Sequence, residues 1–505
     1  MALGALAGLG LTSPARADDA PAPAPQDLSL GLDPGTPQVG ALPGGLTPAY
    51  GQRTADEGDW RFDFHGFVTM PLRAGLNTRA GAATADQHID VLHAPPVVPD
   101  YRDSFTYTSV IPQPYAQLNF SYGNSIVTGN VILIARTATT AATFYNPPDQ
   151  SGISDAFVTF RVPNLARHLH LEANVGALTN RYGVMGEYDE GKYGTPVIAR
   201  VNGVGENVVA KLALGDVVVA LEQGFDGQLD RFPNDVLPAG WNGFANADAG
   251  SGFVNHLHAG FGYLGTLTVG LHYLDAWTQD DRAEQSTVPD ANLRVLGADV
   301  RLTTGNIGHV YLAASRTTAS HVGSLGRVLE IMNTGNGAGL IANYLGANSD
   351  GVGTLTTFAG QWDVSLMSVL EYPQIYAGDT RDLVLSLFAV QTKVTSNDPT
   401  ITAEGGVTMR KLGGEVSGSL WSWLAASVRV DGVMPDDHDG KKSFAIVSPR
   451  LIFRSKWQAH DQVVLQYSRF MYGSDVVVRS GYPATPDPTI HPDRDVISLS
   501  ASMWW

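Results

Sequence analysis

The chain has 505 residues, no cysteine, 56 glycines and a formal net charge of −17, and 16% of its residues are charged. The acidic balance argues against a nucleic-acid partner, which would require a basic face. The absence of cysteine suits an exported protein that does without disulfides. A soluble chain of this length would form several domains, and a single large barrel is the main exception.

The N-terminal segment, residues 1–17, is interpreted as a cleaved signal peptide. An apolar run over residues 2–11 precedes Ala15-Arg16-Ala17, which fits the small-x-small pattern of a cleavage site. No basic residue precedes that run, so either the true start lies upstream or the segment is an apolar tail. Residues 18–58 are rich in Pro, Gly and Ala and predict a disordered periplasmic linker. The folded part is therefore assigned to 59–505.

Within the folded part, apolar and polar residues alternate in segments of roughly 10 residues that are separated by turn-rich stretches. The last segment is the clearest, because every second residue from Ile497 to Trp505 is apolar and serines occupy positions 498, 500 and 502. Mid-strand charges fall on the polar face, apart from Arg410 and Arg469 near strand ends. Because Arg or Lys facing mid-bilayer lipid costs about 2–4 kcal/mol, the pattern favours strands that span a membrane.

The connections between these segments alternate between short and long. Tight turns are predicted at Gly123, Gly215, Gly265 and Gly305, and the long connections between them include 74–111, 179–204, 225–252 and 319–353. No later segment has the roughly 20 apolar residues of a transmembrane helix, and strands in lipid must close into a barrel because an open edge cannot be satisfied there. The sequence predicts an all-β, antiparallel, up-and-down transmembrane barrel of about 18 strands, with short periplasmic turns and long extracellular loops. The weak segments 354–370 and 382–394 make 16 strands the alternative.

Aromatic residues are concentrated at the ends of the predicted strands, as in the two aromatic girdles of a membrane barrel. At short-turn ends the sequence has Tyr122, Tyr263, Trp421, Trp423, Trp457 and Trp505, and at long-loop ends it has Tyr273, Trp277, Tyr467 and Tyr472.

The terminal strand Ile497–Trp505 resembles the C-terminal aromatic signature of bacterial outer-membrane porins, and the stretches 448–454 and 463–469 resemble paired strands of that class. The resemblance covers about 61–505. It implies a location in the lipid of a Gram-negative outer membrane and insertion by the barrel-assembly machinery, which would read the strand ending at Trp505. It also implies passive diffusion of small hydrophilic solutes or ions, with a homotrimer as one assembly. It identifies neither a solute nor a subfamily.

Two other functions stay open on the sequence alone. One is a non-conducting structural or adhesive barrel, and the other is a barrel enzyme with its site at the rim. The sequence has no P-loop, no His-Glu-x-x-His and no Gly-x-Ser-x-Gly motif, so no catalytic residue and no cofactor are expected.

Charged residues on the polar face are predicted to line the lumen, where rings of charge set the ion preference of a pore. With His65, the predicted pore-lining residues are Asp63, Arg136, Asp155, Arg161, Glu172, Lys211, Glu222, Asp299, Arg301, Lys411, Glu415, Arg429, Asp431, Arg450 and Arg454.

Three histidines on consecutive strands, His256, His258 and His272, form a candidate metal cluster. If the hairpin turns at Leu264, His256 lies directly opposite His272, and His258 is diagonal to it. Three imidazoles can bind Zn²⁺ or Cu²⁺. A polar patch of the lumen wall is the alternative, and the sequence assigns no metal.

Two acidic loop segments, Glu187–Glu190 and Asp436–Asp439, contain oxygen ligands of the kind that Ca²⁺ prefers, or they carry solvated loop charge.

The connection 319–353 is predicted to fold into the barrel and constrict it. It is far longer than ordinary connections and contains an apolar cluster around Val328–Met332 whose exposure to water would be unfavourable. Arg327, Glu330 and Met332 are its candidate constriction residues. Packing against neighbouring loops or against another subunit remains an alternative.

Overall fold

The structure is a computed structural model. It describes residues 60–75, 115–136, 150–166, 168–182, 198–228, 251–264, 266–279, 290–304, 307–321, 332–333, 352–366, 383–396, 406–421, 423–434, 436–455, 461–474, 478–480, 485–487 and 495–504. No helix within these ranges is long and apolar enough to cross a membrane.

The described residues form 21 strands. In chain order they are β1 (Arg61–Gly75), β2 (Tyr115–Gly123), β3 (Val127–Arg136), β4 (Gln150–Ala166), β5 (Leu169–Tyr182), β6 (Ala199–Leu214), β7 (Val217–Gln228), β8 (Ser251–Tyr263), β9 (Leu267–Gln279), β10 (Asn292–Thr303), β11 (Gly308–Ser320), β12 (Met332–Asn333), β13 (Val352–Ser365), β14 (Leu383–Ser396), β15 (Val407–Trp421), β16 (Leu424–Met434), β17 (Phe444–Phe453), β18 (Asp461–Tyr472), β19 (Val478–Ser480), β20 (Thr485–Asp487) and β21 (Asp495–Trp504).

Eighteen of these strands pair antiparallel in a closed ring. Consecutive strands pair from β1 to β11, β11 pairs with β13, and the order continues through β18 to β21. β21 then pairs with β1, which places Met70 opposite Ala501. The ring confirms the predicted up-and-down barrel of 18 strands, because the weak segments form the full-length neighbours β13 and β14.

The three remaining strands lie within long connections. β12 pairs with β6 at Arg200 and Val201, and β19 pairs with β20 as a small separate hairpin. Several strands also run further than the sequence indicates. β5 and β6 extend into the predicted loop 179–204, and β7 runs past residue 225, because their backbone pairing continues there.

The outer face of the ring is apolar and exposed, whereas the alternate residues are buried inside. On β10, for example, Leu296 is 64% exposed and its neighbours Val295 and Gly297 are buried. The large exposed apolar side chains recur around the ring, as at Phe64, Leu133, Val175, Leu221, Leu271, Leu312, Phe358, Leu412, Val430, Leu465 and Leu499. Such a surface is unfavourable in water and suits a lipid environment.

Aromatic rings gather at both ends of the strands. At the short-turn end, Trp421 and Trp423 stack with their centroids 5.7 Å apart, and Trp60 lies 5.2 Å from Tyr122. At the other end, the rings of Phe225, Phe253 and Trp277 lie 5.8–6.1 Å from one another. Both groups fit the predicted girdles.

The interior contains an apolar cluster near the long-loop ends of β8 to β15, which includes Val254, Leu293, Leu355 and Val394. Ile198 belongs to it although it lies just before β6, four strands away from its contact on β10. A Cβ added at Gly297 of β10 would lie 3.0 Å from Cγ2 of Ile198. The chain therefore reaches into the interior at Ile198.

Candidate functional site

The predicted pore-lining charges face the interior of the ring wherever their side chains are described. Ten of these fourteen side chains fall into three groups, and seven of the fourteen are buried. The side chains of His65 and Arg136 lie outside the described side chains, so their placement remains a prediction. Asp63 is opposite the buried Ser121 of β2, and Asp155 of β4 is itself buried.

The first group, the imidazole cluster, consists of three histidines and three acids on β7 to β10. His256 Nε2 lies 3.1 Å from Asp226 Oδ2, and its Nδ1 lies 3.6 Å from Glu222 Oε1. His272 Nε2 lies 3.1 Å from Asp299 Oδ1. All of these side chains are buried. Buried charge is tolerated when it is paired in this way.

The two remaining contacts link the imidazole cluster into one network. His258 Nδ1 lies 2.7 Å from His272 Nδ1, a distance that requires one ring to donate and the other to accept. The Asn207 side-chain amide donates to Glu222, which extends the network to β6.

Glycines on the interior face give the imidazoles their space. A Cβ at Gly224 would overlap with the ring of His256, and a Cβ at Gly270 would overlap with Asp299 and approach His272 Nε2 to 2.7 Å. These two positions are glycine because the side chains of His256 and Asp299 occupy the space that a Cβ would take there.

The register of the β8–β9 hairpin differs from the prediction. His258 is directly opposite His272, and His256 is opposite Leu274. The prediction centred the turn one residue too early. Tyr263 pairs with Leu267, and Thr266 N donates to Tyr263 O at 2.8 Å, so three residues form the turn and Leu264 adopts a φ of 52°.

The three imidazoles do not converge on one point as metal ligands would. His258 and His272 contact each other, whereas His256 is directed towards Asp226 and Glu222. Within the described residues, only Asp436, Asp437 and His438 bring three ligand atoms within 4.8 Å. These are loop residues with ion pairs of their own, since Lys442 Nζ lies 2.8 Å from Asp436 Oδ2 and His438 Nδ1 lies 3.1 Å from Asp437 Oδ1, as expected of solvated loop charge. The other acidic segment, Glu187–Glu190, lies outside the described residues.

The second group, the guanidinium cluster, lies on β14 to β17. Arg429 donates to both carboxylate oxygens of Asp431, at 2.9 and 2.8 Å, and Lys411 Nζ lies 4.0 Å from Asp431 Oδ1. Lys411 and Asp431 are 0% exposed. The Phe388 ring lies 4.9 Å from the Arg429 guanidinium carbon, a cation–π geometry.

The guanidinium cluster continues towards the short turns. Arg450 Nη2 donates to Glu415 Oε2 at 2.9 Å, and Arg454 Nη2 lies 3.3 Å from Gln462 Oε1. Among the residues named in this cluster, cations outnumber carboxylates: Lys411 and Arg429 approach Asp431, Arg450 pairs with Glu415, and Arg454 contacts the neutral Gln462.

The third group links β3, β4 and β5. Arg161 Nε donates to Glu172 Oε2 at 2.9 Å and its Nη1 donates to Thr128 Oγ1 at 3.0 Å. Lys211 and Arg301 also face the interior, at β6 and β10, opposite His170 and Tyr311 respectively.

The predicted constriction loop is described only at its short strand. Met332 pairs with Val201 and Asn333 with Arg200, where β6 extends beyond the end of β7. Arg327 and Glu330 lie outside the described residues. The connection therefore contacts β6 next to Ile198, the residue that reaches into the interior.

Sequence reasoning missed three residues of the barrel interior. Asp226 was assigned to a loop, although its spacing from Glu222 places it on the same face of a longer strand. Phe388 has an apolar side chain on the polar face, and Ile198 lies outside the predicted strands. The periodicity could reveal the first of these, and nothing in the local sequence reveals the other two.

No family model matches the chain, and no curated protein matches its sequence. Several solved outer-membrane proteins match the structure at low identity. The outer membrane channel DcaP of Acinetobacter baumannii is 9% identical with a TM-score of 0.42, over 89% of this chain and 99% of that chain. An anion-selective porin from Comamonas acidovorans is 6% identical with a TM-score of 0.40, over 88% of this chain and all of that chain (100%).

Wzi of Escherichia coli, a carbohydrate binding β-barrel involved in Group 1 capsule assembly, is 8% identical with a TM-score of 0.40, over 87% of this chain and 84% of that chain. These similarities concern the class of fold. The barrel assigned to this chain rests on its own closed strand pairing and on its apolar outer face.

Proposed function

We propose that the chain is a porin-type channel of a Gram-negative outer membrane, which passes small hydrophilic solutes or ions by passive diffusion. One observation carries the proposal: a closed ring of 18 strands has an apolar outer face and a charged interior. A ring of 16–18 strands is wide enough for an aqueous channel, and lipid cannot solvate the inner charges.

We propose two further parts of this function, export and insertion into the membrane. Export uses the signal segment 1–17, and insertion uses the terminal strand that ends at Trp505. The closure of the ring by β21 supports the second part, because that strand completes the pairing of β1 and β18. Sedimentation of the purified protein in detergent tests for the homotrimer that porin-like barrels form.

The channel is narrowest, in this proposal, where Ile198 meets Gly297. The adjacent pairing of β12 with β6 supports a contribution from the connection 319–353, through Met332. Ile198→Ala should widen the channel and raise its single-channel conductance, and deletion of 324–348 should raise it further. Val204→Ala on the outer face is the matched control and should leave conductance unchanged. Unaltered conductance in both of the first two variants, with folding intact, would remove the constriction from the account.

A sealed structural or adhesive barrel is the second candidate. The observation in its favour is the burial of interior side chains, since residues such as Asn174 and Ser448 are no more than 1% exposed. Insertion of the purified protein into planar lipid bilayers separates the two functions. Discrete current steps are expected for a channel. Stable insertion without conductance would contradict the proposed channel and establish the sealed barrel.

A further inference from the structure

The outer face carries a cluster of basic side chains on one sector of the ring, separate from the interior charges. Arg316 of β11, Lys393 of β14 and Arg410 of β15 face outward and are exposed. They lie close to the long-loop ends of their strands, beyond exposed apolar residues such as Leu312 and Leu412. We call these three residues the basic sector.

Strand register places the basic sector on one continuous patch. Arg316 is opposite Thr356 of β13, and Thr356 is opposite Lys393. Arg410 is opposite Gln391 of β14 and donates to its Oε1 at 3.0 Å. The patch therefore spans four adjacent strands and consists of cations and neutral hydrogen-bonding side chains.

The charge of this patch is not balanced by the surrounding wall. Among the described residues, no carboxylate forms an ion pair with Arg316, Lys393 or Arg410. Two other outward-facing cations differ, because Arg294 Nε lies 3.0 Å from Asp275 Oδ1 and Arg469 is paired with Asp495. Those outward-facing cations are neutralised within the protein, whereas the basic sector leaves an excess of three positive charges.

Position and charge together identify an occupant. An outward-facing cation costs about 2–4 kcal/mol at the bilayer midplane and close to nothing at the interface, so these residues mark the headgroup level at the long-loop end. Anionic headgroups attract cations at that level, and guanidinium groups match phosphate oxygens in pairs.

We propose that the basic sector binds phosphate-bearing lipid headgroups in the leaflet that surrounds the long-loop end. The proposal rests on the membrane location and not on the conductance. The occupant is lipid rather than free phosphate, because the three cations border an apolar surface that acyl chains would cover.

Native mass spectrometry of the detergent-purified full chain, with bis-phosphorylated lipid A as the probe, tests the proposal. The wild type should retain the lipid, and the variant R316Q/K393Q/R410Q should bind it about a hundredfold more weakly, given the known contribution of each cation near an anionic surface. Retention by the wild type should also fall as salt is raised.

Two controls make the result specific. K441Q/K442Q removes two exposed cations from a loop at the same end and should retain the lipid, as should R294Q/D275N, which removes a neutralised pair. Single-channel conductance and heat-dependent electrophoretic mobility should match the wild type in every variant, because the substituted strand residues face outward and the two lysines are exposed in a loop.

Equal lipid retention by the folded triple variant would overturn the proposal. So would equal binding of dephosphorylated lipid A, which would remove phosphate from the recognition. Binding of inorganic phosphate as tight as that of the lipid would overturn the assignment to a lipid headgroup.

Discussion

The imidazole cluster and the guanidinium cluster face the same interior from different parts of the ring, and they bury charge in different ways. In the imidazole cluster, each carboxylate meets a ring that can be neutral, and glycines on the wall provide the space. In the guanidinium cluster, Arg429 holds a permanent charge, so Asp431 must neutralise it, with a contact at both oxygens. The difference indicates that the stability of the imidazole cluster depends on steric fit, whereas that of the guanidinium cluster depends on ionic pairing.

The largest effect is expected from removal of the central carboxylate of the guanidinium cluster. Asp431→Asn withdraws the negative charge that Arg429 and the fully buried Lys411 approach. Breaking a buried pair by removing one partner costs about 3–5 kcal/mol. The free energy of unfolding of the refolded barrel, measured by denaturation with guanidinium chloride, should therefore fall by that amount. Asp461→Asn, at the first residue of β18, is the control for the loss of one carboxylate. A loss below about 1 kcal/mol would show that Asp431 does not neutralise the cluster.

A smaller effect is expected when the space in the imidazole cluster is filled. Gly224→Ala places a methyl group against His256, and overpacking of this kind costs about 1–3 kcal/mol. Gly129→Ala is the matched control, since its nearest neighbour would be Tyr122 O at 3.9 Å. Equal unfolding free energies for the two alanine variants would mean that glycine is not required for the fit.

The smallest effect concerns charge that is exposed. In the loop after β16, burial opposes ionisation of Asp436, but hydrogen bonds from Lys442 and from the His438 backbone N–H outweigh it and lower the pKa of the carboxyl. The folded loop therefore holds its proton less tightly than the unfolded chain. Its stabilisation is present above the ordinary carboxyl pKa and is lost as pH falls through the lowered value.

Exposed ion pairs contribute about 0.2–1 kcal/mol. As the solution is acidified, the rate of backbone amide hydrogen exchange at His438 in the wild type should therefore rise modestly relative to the rate in Asp436→Asn. At neutral pH the wild type should exchange more slowly than that variant, and at low pH the two should agree. A constant difference across the pH range would exclude the carboxylate as its origin.

The class of fold follows from the sequence because period-2 alternation is a local property of each strand. The terminal strand shows this well, since its apolar residues face outward and complete the ring with β1. Details of the interior do not follow in the same way. A shift of one residue in the hairpin centre moved His258, rather than His256, opposite His272.

Contacts between distant parts of the chain are harder still to read from the sequence. The pairing of Met332 with Val201 and the approach of Ile198 to Gly297 join residues far apart in the chain, and no periodicity encodes them. The bidentate contact of Arg429 with Asp431 is much easier to predict, because residues two apart on one strand point to the same face and are always neighbours.

Thiol labelling tests the central claim, a water-filled lumen within a lipid-embedded ring, most directly. Because the chain has no cysteine, Ser500→Cys and Leu499→Cys place single thiols on the inner and outer faces of β21. In proteoliposomes, a charged, membrane-impermeant maleimide should react with Ser500→Cys and reduce its single-channel conductance, whereas Leu499→Cys should stay unmodified in lipid. Labelling of Leu499→Cys alone, or of neither variant, would contradict the account.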